Sequence, residues 1–216
     1  MKKKSLIVFD IDGTLTDSVK AHQRAFTETL FEIGVSEINS EYKSFKHHTD
    51  SFIAKEIYEN NQKTIFSTDK IHQFENRLFE KIKRLNFNEV KGAKEIVNKI
   101  HKETEYGVCY ATGSLRKPAE HKLKSIGIEF EEWQLVASDK IFEREKIVQQ
   151  AIKNSSDNYK VQSFKRVISV GDGLWDLLTA DNLNLEFIGI GEENKDLLIK
   201  NGAMKVFRDL TEFKIE

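Results

Sequence analysis

Two carboxylates follow directly after a short apolar run near the start of the sequence. Residues 9–18 read FDIDGTLTDS, so Asp10 and Asp12 stand two positions apart, ahead of Gly13. In an extended or looped segment this spacing lets both side chains approach one site. Acidic groups clustered at the end of a buried strand are unfavourable unless a cation or a substrate uses them. The pair therefore indicates a cation or substrate site, and a solvated Asp-Gly turn is the alternative.

Two further polar segments follow later apolar runs. Residues 111–114 (ATGS) offer a hydroxyl group and consecutive backbone N–H groups at the start of a helical segment, which are features that bind phosphate. Residues 170–176 (VGDGLWD) carry Asp172 and Asp176 four positions apart. Asp10 and Asp172 would provide hard oxygen ligands, and with a backbone carbonyl and waters these suit Mg²⁺. The three segments together predict a magnesium and phosphate site.

A parallel sheet would bring these segments together, because the carboxyl ends of its strands share one edge. Continuous apolar runs rich in β-branched and aromatic residues predict the strands. These runs are residues 6–9, 107–111, 167–170 and 187–190, with weaker candidates at 134–137 and 205–207. Helical periodicity between them predicts an α/β fold with a Rossmann-like, doubly wound parallel sheet. Asp10, Thr112 and Asp172 fall at its ligand-binding edge.

A helical stretch interrupts this alternation between the first predicted strand and the second. Residues 17–89 show three amphipathic stripes and no convincing buried strand. The prediction is therefore an α/β core domain of residues 1–16 and 90–216 with an inserted α-helical cap domain of residues 17–89. We expect the cap to sit above the carboxyl edge of the sheet, on hinges at residues 17–18 and 90–92.

In this order and spacing, the three segments resemble the haloacid dehalogenase (HAD) superfamily, in its phosphoglycolate-phosphatase-like and β-phosphoglucomutase-like subgroup. The resemblance spans essentially the whole core. It implies that Asp10 is a nucleophile that forms an aspartyl-phosphate, and that Asp12 is first a general acid and then a general base. It also implies Mg²⁺ bound by the carboxylates of Asp10 and Asp172 and by the backbone carbonyl of Asp12. Thr112 and the Gly113 amide would bind the transferring phosphoryl oxygens.

The family also supplies a lysine between the third and fourth strands, and this sequence departs from that pattern. It offers Lys140, Arg144 and Lys146 in that region. Arg144 best fits the expected offset before the apolar face of the next helix, and Lys146 is the second candidate. A guanidinium binds phosphate oxygens bidentately but is not equivalent to an ammonium group. The alternative for each is ordinary charge on a helix surface.

Four other residues are candidates for supporting roles. Ser114 completes the predicted phosphate-binding segment, and Asp176 is expected to orient its loop or a metal-bound water. His22 stands at the offset from Asp10 where related members place a histidine near the site, although a helix-surface histidine is the alternative. Lys46 precedes a cap helix and is a candidate substrate contact in a polar loop.

The overall composition argues against several classes of function. With 34 basic and 35 acidic side chains among 216 residues, the formal net charge is −1, which gives no overall attraction to nucleic acid or anionic membranes. No apolar segment approaches the length of a spanning helix. The single cysteine, Cys109, fits a reducing compartment, so we expect a cytoplasmic protein.

The expected function is that of a Mg²⁺-dependent phosphatase acting on a small phosphorylated metabolite, with no nucleic-acid or membrane partner and an oligomeric state left open. Within the resemblance, Asp12 points to phosphomonoester hydrolysis or to phosphoryl transfer between sugar hydroxyls. A sugar phosphomutase of the same fold is therefore the first alternative, although Asp176 resembles the hydrolases more. A noncatalytic binding protein is the second, and the presence of Asp10, Asp12, Thr112 and Asp172 argues against it.

Overall fold

A single parallel sheet forms the centre of the protein. The computed structural model describes residues 2–38 and 45–214. The strands are β1 (Ser5–Phe9), β2 (Tyr106–Ala111), β3 (Leu135–Val136), β4 (Val167–Gly171), β5 (Glu186–Ile190) and β6 (Val206–Phe207). Their order across the sheet is β3-β2-β1-β4-β5-β6, and every neighbouring pair is parallel. The predicted Rossmann-like α/β fold is therefore confirmed.

The helices fill the intervals between the strands. They are α1 (Val19–Glu32), α2 (Asp50–Gln62), α3 (Thr68–Ile82), α4 (Ala93–Glu103), α5 (Arg116–Ser125), α6 (Arg144–Tyr159), α7 (Leu174–Asn182) and α8 (Lys195–Lys200). Among the described residues, none of these helices is long and apolar enough to cross a membrane.

Strand β1 is buried on both faces, which explains its continuous apolar sequence. All five of its residues are buried, and alternate side chains point to opposite sides of the sheet. Ile7 and Phe9 pack with apolar residues of α4 and α5. Leu6 and Val8 pack with apolar residues of α6 on the other face. Helices on both sides thus hold β1 in the middle of the molecule.

Helices α1, α2 and α3 form an insertion between β1 and β2 with an apolar cluster of their own. Phe26, Leu30, Phe74 and Leu78 are almost entirely buried in it. The rings of Phe26 and Phe74 pack edge to face, with centroids 5.1 Å apart. This cluster also takes in Leu115, which directly precedes α5. The predicted helical insertion is confirmed, and it packs against the parallel-sheet unit.

The chain enters and leaves the insertion side by side. The backbone N–H of Asp17 donates to the carbonyl of Asn88 at 3.0 Å, and that of Val90 donates to the carbonyl of Leu15 at 2.9 Å. These two hydrogen bonds lie at the predicted hinges. The base of the insertion is therefore fixed directly above the end of β1.

Candidate active site

Three strand ends place polar residues at one edge of the sheet. Asp10 follows β1, Thr112 follows β2 and Asp172 follows β4. Strand β1 lies between β2 and β4, so these positions are neighbours across the sheet. The backbone N–H of Asp10 donates to the carbonyl of Val170 at 2.9 Å, which extends the pairing with β4 to the end of β1.

An acidic cluster lies at this edge. Asp10, Asp172 and Asp176 each place a carboxylate oxygen within 4.8 Å of the others. Asp10 and Asp176 are buried, and Asp172 is half-buried. Helix α7 begins at Leu174, so Asp176 lies in its first turn. There its Oδ2 accepts a hydrogen bond of 3.0 Å from the backbone N–H of Gly173.

Gly13 allows the loop after β1 to approach this cluster. Its φ of +81° lies in the left-handed region, and a Cβ at this position would lie 2.2 Å from Oδ2 of Asp172. A side chain at position 13 would therefore be strained in its backbone and would also collide with the carboxylate.

Arg144 is the cationic residue that the structure brings to the acidic cluster. Its Nη2 lies 2.7 Å from Oδ1 of Asp10 and 2.6 Å from Oδ1 of Asp176. Its Nη1 donates to the backbone carbonyl of His48 at 3.1 Å. Lys146 instead pairs with Glu143 at 2.7 Å, with 63% of its side chain exposed, and Lys140 is exposed. Neither lysine is brought to the cluster.

The electrostatics of this cluster favour a cation. Burial raises the pKa of Asp10, and the charges of Asp176 and Asp172 raise it further, while Arg144 acts in the opposite direction. Burial and then Asp176 likewise raise the pKa of Asp172. The guanidinium of Arg144 supplies one positive charge against three carboxylates. The excess of negative charge in a buried site is unfavourable until another cation compensates it.

The donor set fits Mg²⁺. Oδ1 of Asp172 is buried without a hydrogen-bond partner among the described residues, which leaves an acceptor that a cation would satisfy. Oxygen ligands from Asp10 and Asp172 are the hard donors that Mg²⁺ prefers. Asp176 has both carboxylate oxygens hydrogen-bonded, one to Arg144 and the other to the backbone N–H of Gly173.

Asp12 lies in a second and separate polar cluster. Its Oδ1 accepts hydrogen bonds from Ser18 Oγ at 2.5 Å and Lys122 Nζ at 2.6 Å. Its Oδ2 accepts from Ser114 Oγ at 2.9 Å and from the same Nζ at 2.7 Å. Burial raises the pKa of Asp12, but the nearby ammonium of Lys122, with a contribution from the Ser18 hydrogen bond, holds that pKa below its ordinary value. Asp12 is therefore an ionised carboxylate in this arrangement.

His22 and Asp50 extend this second cluster into the insertion. His22 Nδ1 lies 2.9 Å from Lys122 Nζ, and its Nε2 lies 3.0 Å from Asp50 Oδ1. The other oxygen of Asp50 accepts from the backbone N–H of Leu115 at 3.0 Å. His22 is buried, so it is not an exposed helix-surface residue. Its contact with Lys122 places it in this cluster.

The residues that follow β2 lie next to both polar clusters. Thr112 is buried, and its Oγ1 accepts from the backbone N–H of Ser114 at 3.1 Å. A Cβ at Gly113 would lie 2.5 Å from Arg144 Nη1 and 2.5 Å from the carbonyl oxygen of His48. Gly113 thus faces the acidic cluster, while the hydroxyl of Ser114 points to Asp12.

Lys46 lies at the rim of the site. It is exposed and borders a cavity of about 390 Å³ that opens beside Arg144. His48 and Trp175 also border this cavity, and their rings stack with centroids 4.8 Å apart. The structure does not bring Lys46 into either polar cluster.

Lys122 is a site residue that the sequence patterns above did not indicate. It lies on α5, where the buried residues are Pro118, Ala119, Lys122 and Leu123. Positions four apart lie on one face of a helix, so this lysine stands within the buried stripe. A lysine in an otherwise apolar stripe is the signal that could have revealed it. Ser18 and Asp50 carried no comparable signal.

Comparison with known proteins identifies a matching family model. A family model described as haloacid dehalogenase-like hydrolase matches residues 7–190. Among curated proteins, none matches this chain significantly.

Solved structures match over nearly the whole chain. A HAD hydrolase of family IA, variant 3, from Entamoeba histolytica is 20% identical with a TM-score of 0.74, over 98% of this chain and 96% of the other. CbbY from Rhodobacter sphaeroides in complex with xylulose-(1,5)bisphosphate is 19% identical with a TM-score of 0.73, over 97% and 96%. A provisionally named β-phosphoglucomutase from Bacteroides vulgatus is 16% identical with a TM-score of 0.72, over 98% and 86%. At these identities the likeness shows the fold.

Proposed function

The chain belongs to the haloacid dehalogenase-like hydrolase family, and we propose that it is a Mg²⁺-dependent phosphatase that acts on a small phosphorylated metabolite. The observation that carries this proposal is the division of the carboxylates into two clusters. Asp10 lies with Arg144 in one, and Asp12 lies with Lys122 in the other. A nucleophile and an acid–base group thus occupy different environments two residues apart.

In the first proposed step, a carboxylate oxygen of Asp10 attacks phosphorus and the bond to the leaving oxygen breaks. Arg144 orients Asp10 and offers N–H groups to the phosphoryl oxygens, together with Thr112 and the Gly113 amide. Bound Mg²⁺, held by Asp10, Asp172 and the Asp12 carbonyl, would supply positive charge that offsets the charge of a phosphate dianion.

In the same step Asp12 protonates the leaving oxygen. Its carboxylate is ionised beside Lys122, so it must first gain a proton. A bound phosphate dianion places negative charge near Asp12 and shifts the carboxyl group towards its protonated form.

In the second proposed step, water hydrolyses the aspartyl-phosphate. Asp12, again a carboxylate, takes the proton from the attacking water, and the phosphorus–oxygen bond to Asp10 breaks. The hydroxyl groups of Ser18 and Ser114 hold Asp12 in place for this role.

The insertion acts in this proposal as a cap domain of residues 17–89 over a core domain of residues 1–16 and 90–216. Its backbone already contacts the site, because Asp50 N–H donates to the carbonyl of Gly113 at 2.8 Å. A cap in this position would exclude bulk water from the reacting groups.

A phosphate-release screen tests the proposal. The purified protein is assayed against a broad panel of sugar phosphates, nucleotides and small phosphorylated acids, with MgCl₂ and with EDTA. We expect phosphate release that needs Mg²⁺ and that Asp10→Asn abolishes without unfolding the protein. Isomer formation without phosphate release would identify a sugar phosphomutase instead. Absence of turnover on the whole panel would favour a noncatalytic binding protein.

A further inference from the structure

Lys122 places a positive charge deep inside the protein. Its side chain is 0% exposed. Its Nζ contacts Asp12, Ser114 Oγ at 2.9 Å and His22 Nδ1 at 2.9 Å. A buried ammonium group is strongly unfavourable unless its N–H groups are all bonded. The presence of all these partners around one buried Nζ indicates a specific role for these contacts.

The hydrogen-bond directions in this cluster are fixed by the chemistry of its members. Ser114 Oγ donates to Asp12, so it accepts from Lys122. An ammonium group has no lone pair, so His22 Nδ1 must also accept from Lys122. The other ring nitrogen of His22 then carries the hydrogen and donates to Asp50. The three N–H groups of Lys122 thus go to Asp12, Ser114 and His22.

These partners come from different parts of the fold. Asp12 follows β1 and Ser114 follows β2, whereas His22 lies on α1 in the helical insertion. The contact between Lys122 and His22 therefore links the core to the insertion. Lys122 Nζ thus contacts both the proposed acid–base carboxylate, Asp12, and a residue of the insertion, His22.

We propose that Lys122 is a positioning residue for the acid–base step, which fixes the Asp12 side chain when the insertion covers the site. This inference rests on the proposed phosphatase function. Without the ammonium group, Asp12 would keep the two serine hydroxyls but would lose the contact that spans both of its carboxylate oxygens. Its direction towards the leaving oxygen would then be poorly defined.

The leaving group provides a readout that a merely structural role would not change. The value of kcat/KM reports the steps up to departure of the leaving group. A nitrophenolate departs without a proton, whereas an alkoxide needs one from Asp12. Loss of Asp12 positioning should therefore reduce kcat/KM for an alkyl phosphate much more than for 4-nitrophenyl phosphate.

The experiment compares Lys122→Met with the wild-type protein in MgCl₂, on 4-nitrophenyl phosphate and on the alkyl phosphate that the wild type hydrolyses fastest. We expect the alkyl-to-aryl ratio of kcat/KM to fall by about tenfold or more. Lys117→Met is the matched control, because Lys117 lies on the same helix and also contacts the insertion, at Asn76 Oδ1, 2.5 Å away. Its ratio should match that of the wild type.

His22→Ala gives a second variant in case Lys122→Met does not fold. It keeps Lys122 and removes the partner on the insertion, so the ratio should fall in the same direction and by less. Equal losses on both substrates, or an unchanged ratio in both variants, would overturn the inference while the phosphatase function stands. A wild-type protein without activity on any phosphate would overturn the proposed function and this inference with it.

Discussion

One nitrogen of Arg144 bridges the proposed nucleophile and a neighbouring carboxylate. Nη2 lies 2.7 Å from Oδ1 of Asp10 and 2.6 Å from Oδ1 of Asp176, and Nε lies 3.0 Å from the same oxygen of Asp176. The forked guanidinium is anchored on Asp176 through two nitrogens while it contacts Asp10. A planar group with several fixed donors can make this arrangement, and an ammonium group cannot reproduce it.

Arg144→Lys should therefore be much less active than the wild type although it keeps the charge. A shorter side chain with one nitrogen cannot hold Asp10 and Asp176 in the same geometry, and we expect kcat to fall on the order of a hundredfold. Steady-state kinetics on 4-nitrophenyl phosphate measures this. Lys146→Met is the control, since this exposed lysine pairs only with Glu143 among the described residues. An Arg144→Lys enzyme with wild-type kcat would contradict the bridging role.

Arg144→Met should destabilise the metal-free protein. It leaves the buried carboxylates of Asp10 and Asp176 without their guanidinium, which costs about 3–5 kcal/mol in the free energy of unfolding. Urea unfolding in EDTA measures this cost. If Arg144→Met and the wild type had equal midpoints, the ion pairs would contribute nothing to stability.

The metal-free protein should lose stability as the pH rises from mildly acidic to neutral. The folded-state pKa values of Asp10 and Asp172 are raised, mainly by burial. Their stabilising contribution is complete below the ordinary carboxyl pKa and is lost as the pH rises through the raised folded values. Thermal unfolding in EDTA across this pH range should show a falling melting temperature.

Magnesium should reverse this loss at neutral pH, because binding to the folded state stabilises it. Asp172→Asn removes one of the charges, so its metal-free melting temperature should depend less on pH and rise less with MgCl₂. Sodium chloride of equal ionic strength is the control for general screening. Equal responses of Asp172→Asn and the wild type to MgCl₂ would argue against Asp172 as a ligand.

The effects of substitutions at Asp12 and Lys122 on kcat/KM should not be additive. Because Lys122 is proposed to act through Asp12, Asp12→Asn alone should cause nearly the whole loss in kcat/KM on an alkyl phosphate, about a hundredfold or more. Lys122→Met in that background should cause little further loss. A double-mutant cycle on one alkyl phosphate tests this. Losses that multiply would show that the two residues act independently.

Gly113→Ala should disturb the contact between the insertion and the site. The new Cβ would lie 2.5 Å from the backbone carbonyl oxygen of His48 and from Nη1 of Arg144. The backbone of the insertion must move or Arg144 must be displaced, so activity should fall, at a cost of about 1–3 kcal/mol in stability. Kinetics and thermal unfolding together measure both effects. A fully active variant would mean that this contact is not needed for turnover.

The strand ends could be predicted from the sequence because local information determines them. A continuous run such as residues 6–9 is long enough for a buried strand and too short for a helix. Parallel pairing then brings Asp10, Thr112 and Asp172 to one edge whatever the length of the connections between them.

The cationic residues were harder to predict because their placement depends on helix phase and distant contacts. Arg144 is the first residue of α6. If the helix began two residues later, Lys146 would occupy this first position. Lys122 pairs with Asp12 and His22, which are 110 and 100 positions away in the chain. A lysine on a helix is usually exposed, and only tertiary packing shows that this one is buried.

The adjacent hydrogen bonds of Asp17 and Val90 at the base of the insertion have an evolutionary consequence. An inserted unit whose two ends meet can be lengthened, shortened or exchanged without moving the strands on either side of it. Mutations in the insertion can therefore change the residues that cover the pocket, while the reacting groups at the strand ends keep their positions. New specificities can arise in this architecture without rebuilding the chemistry.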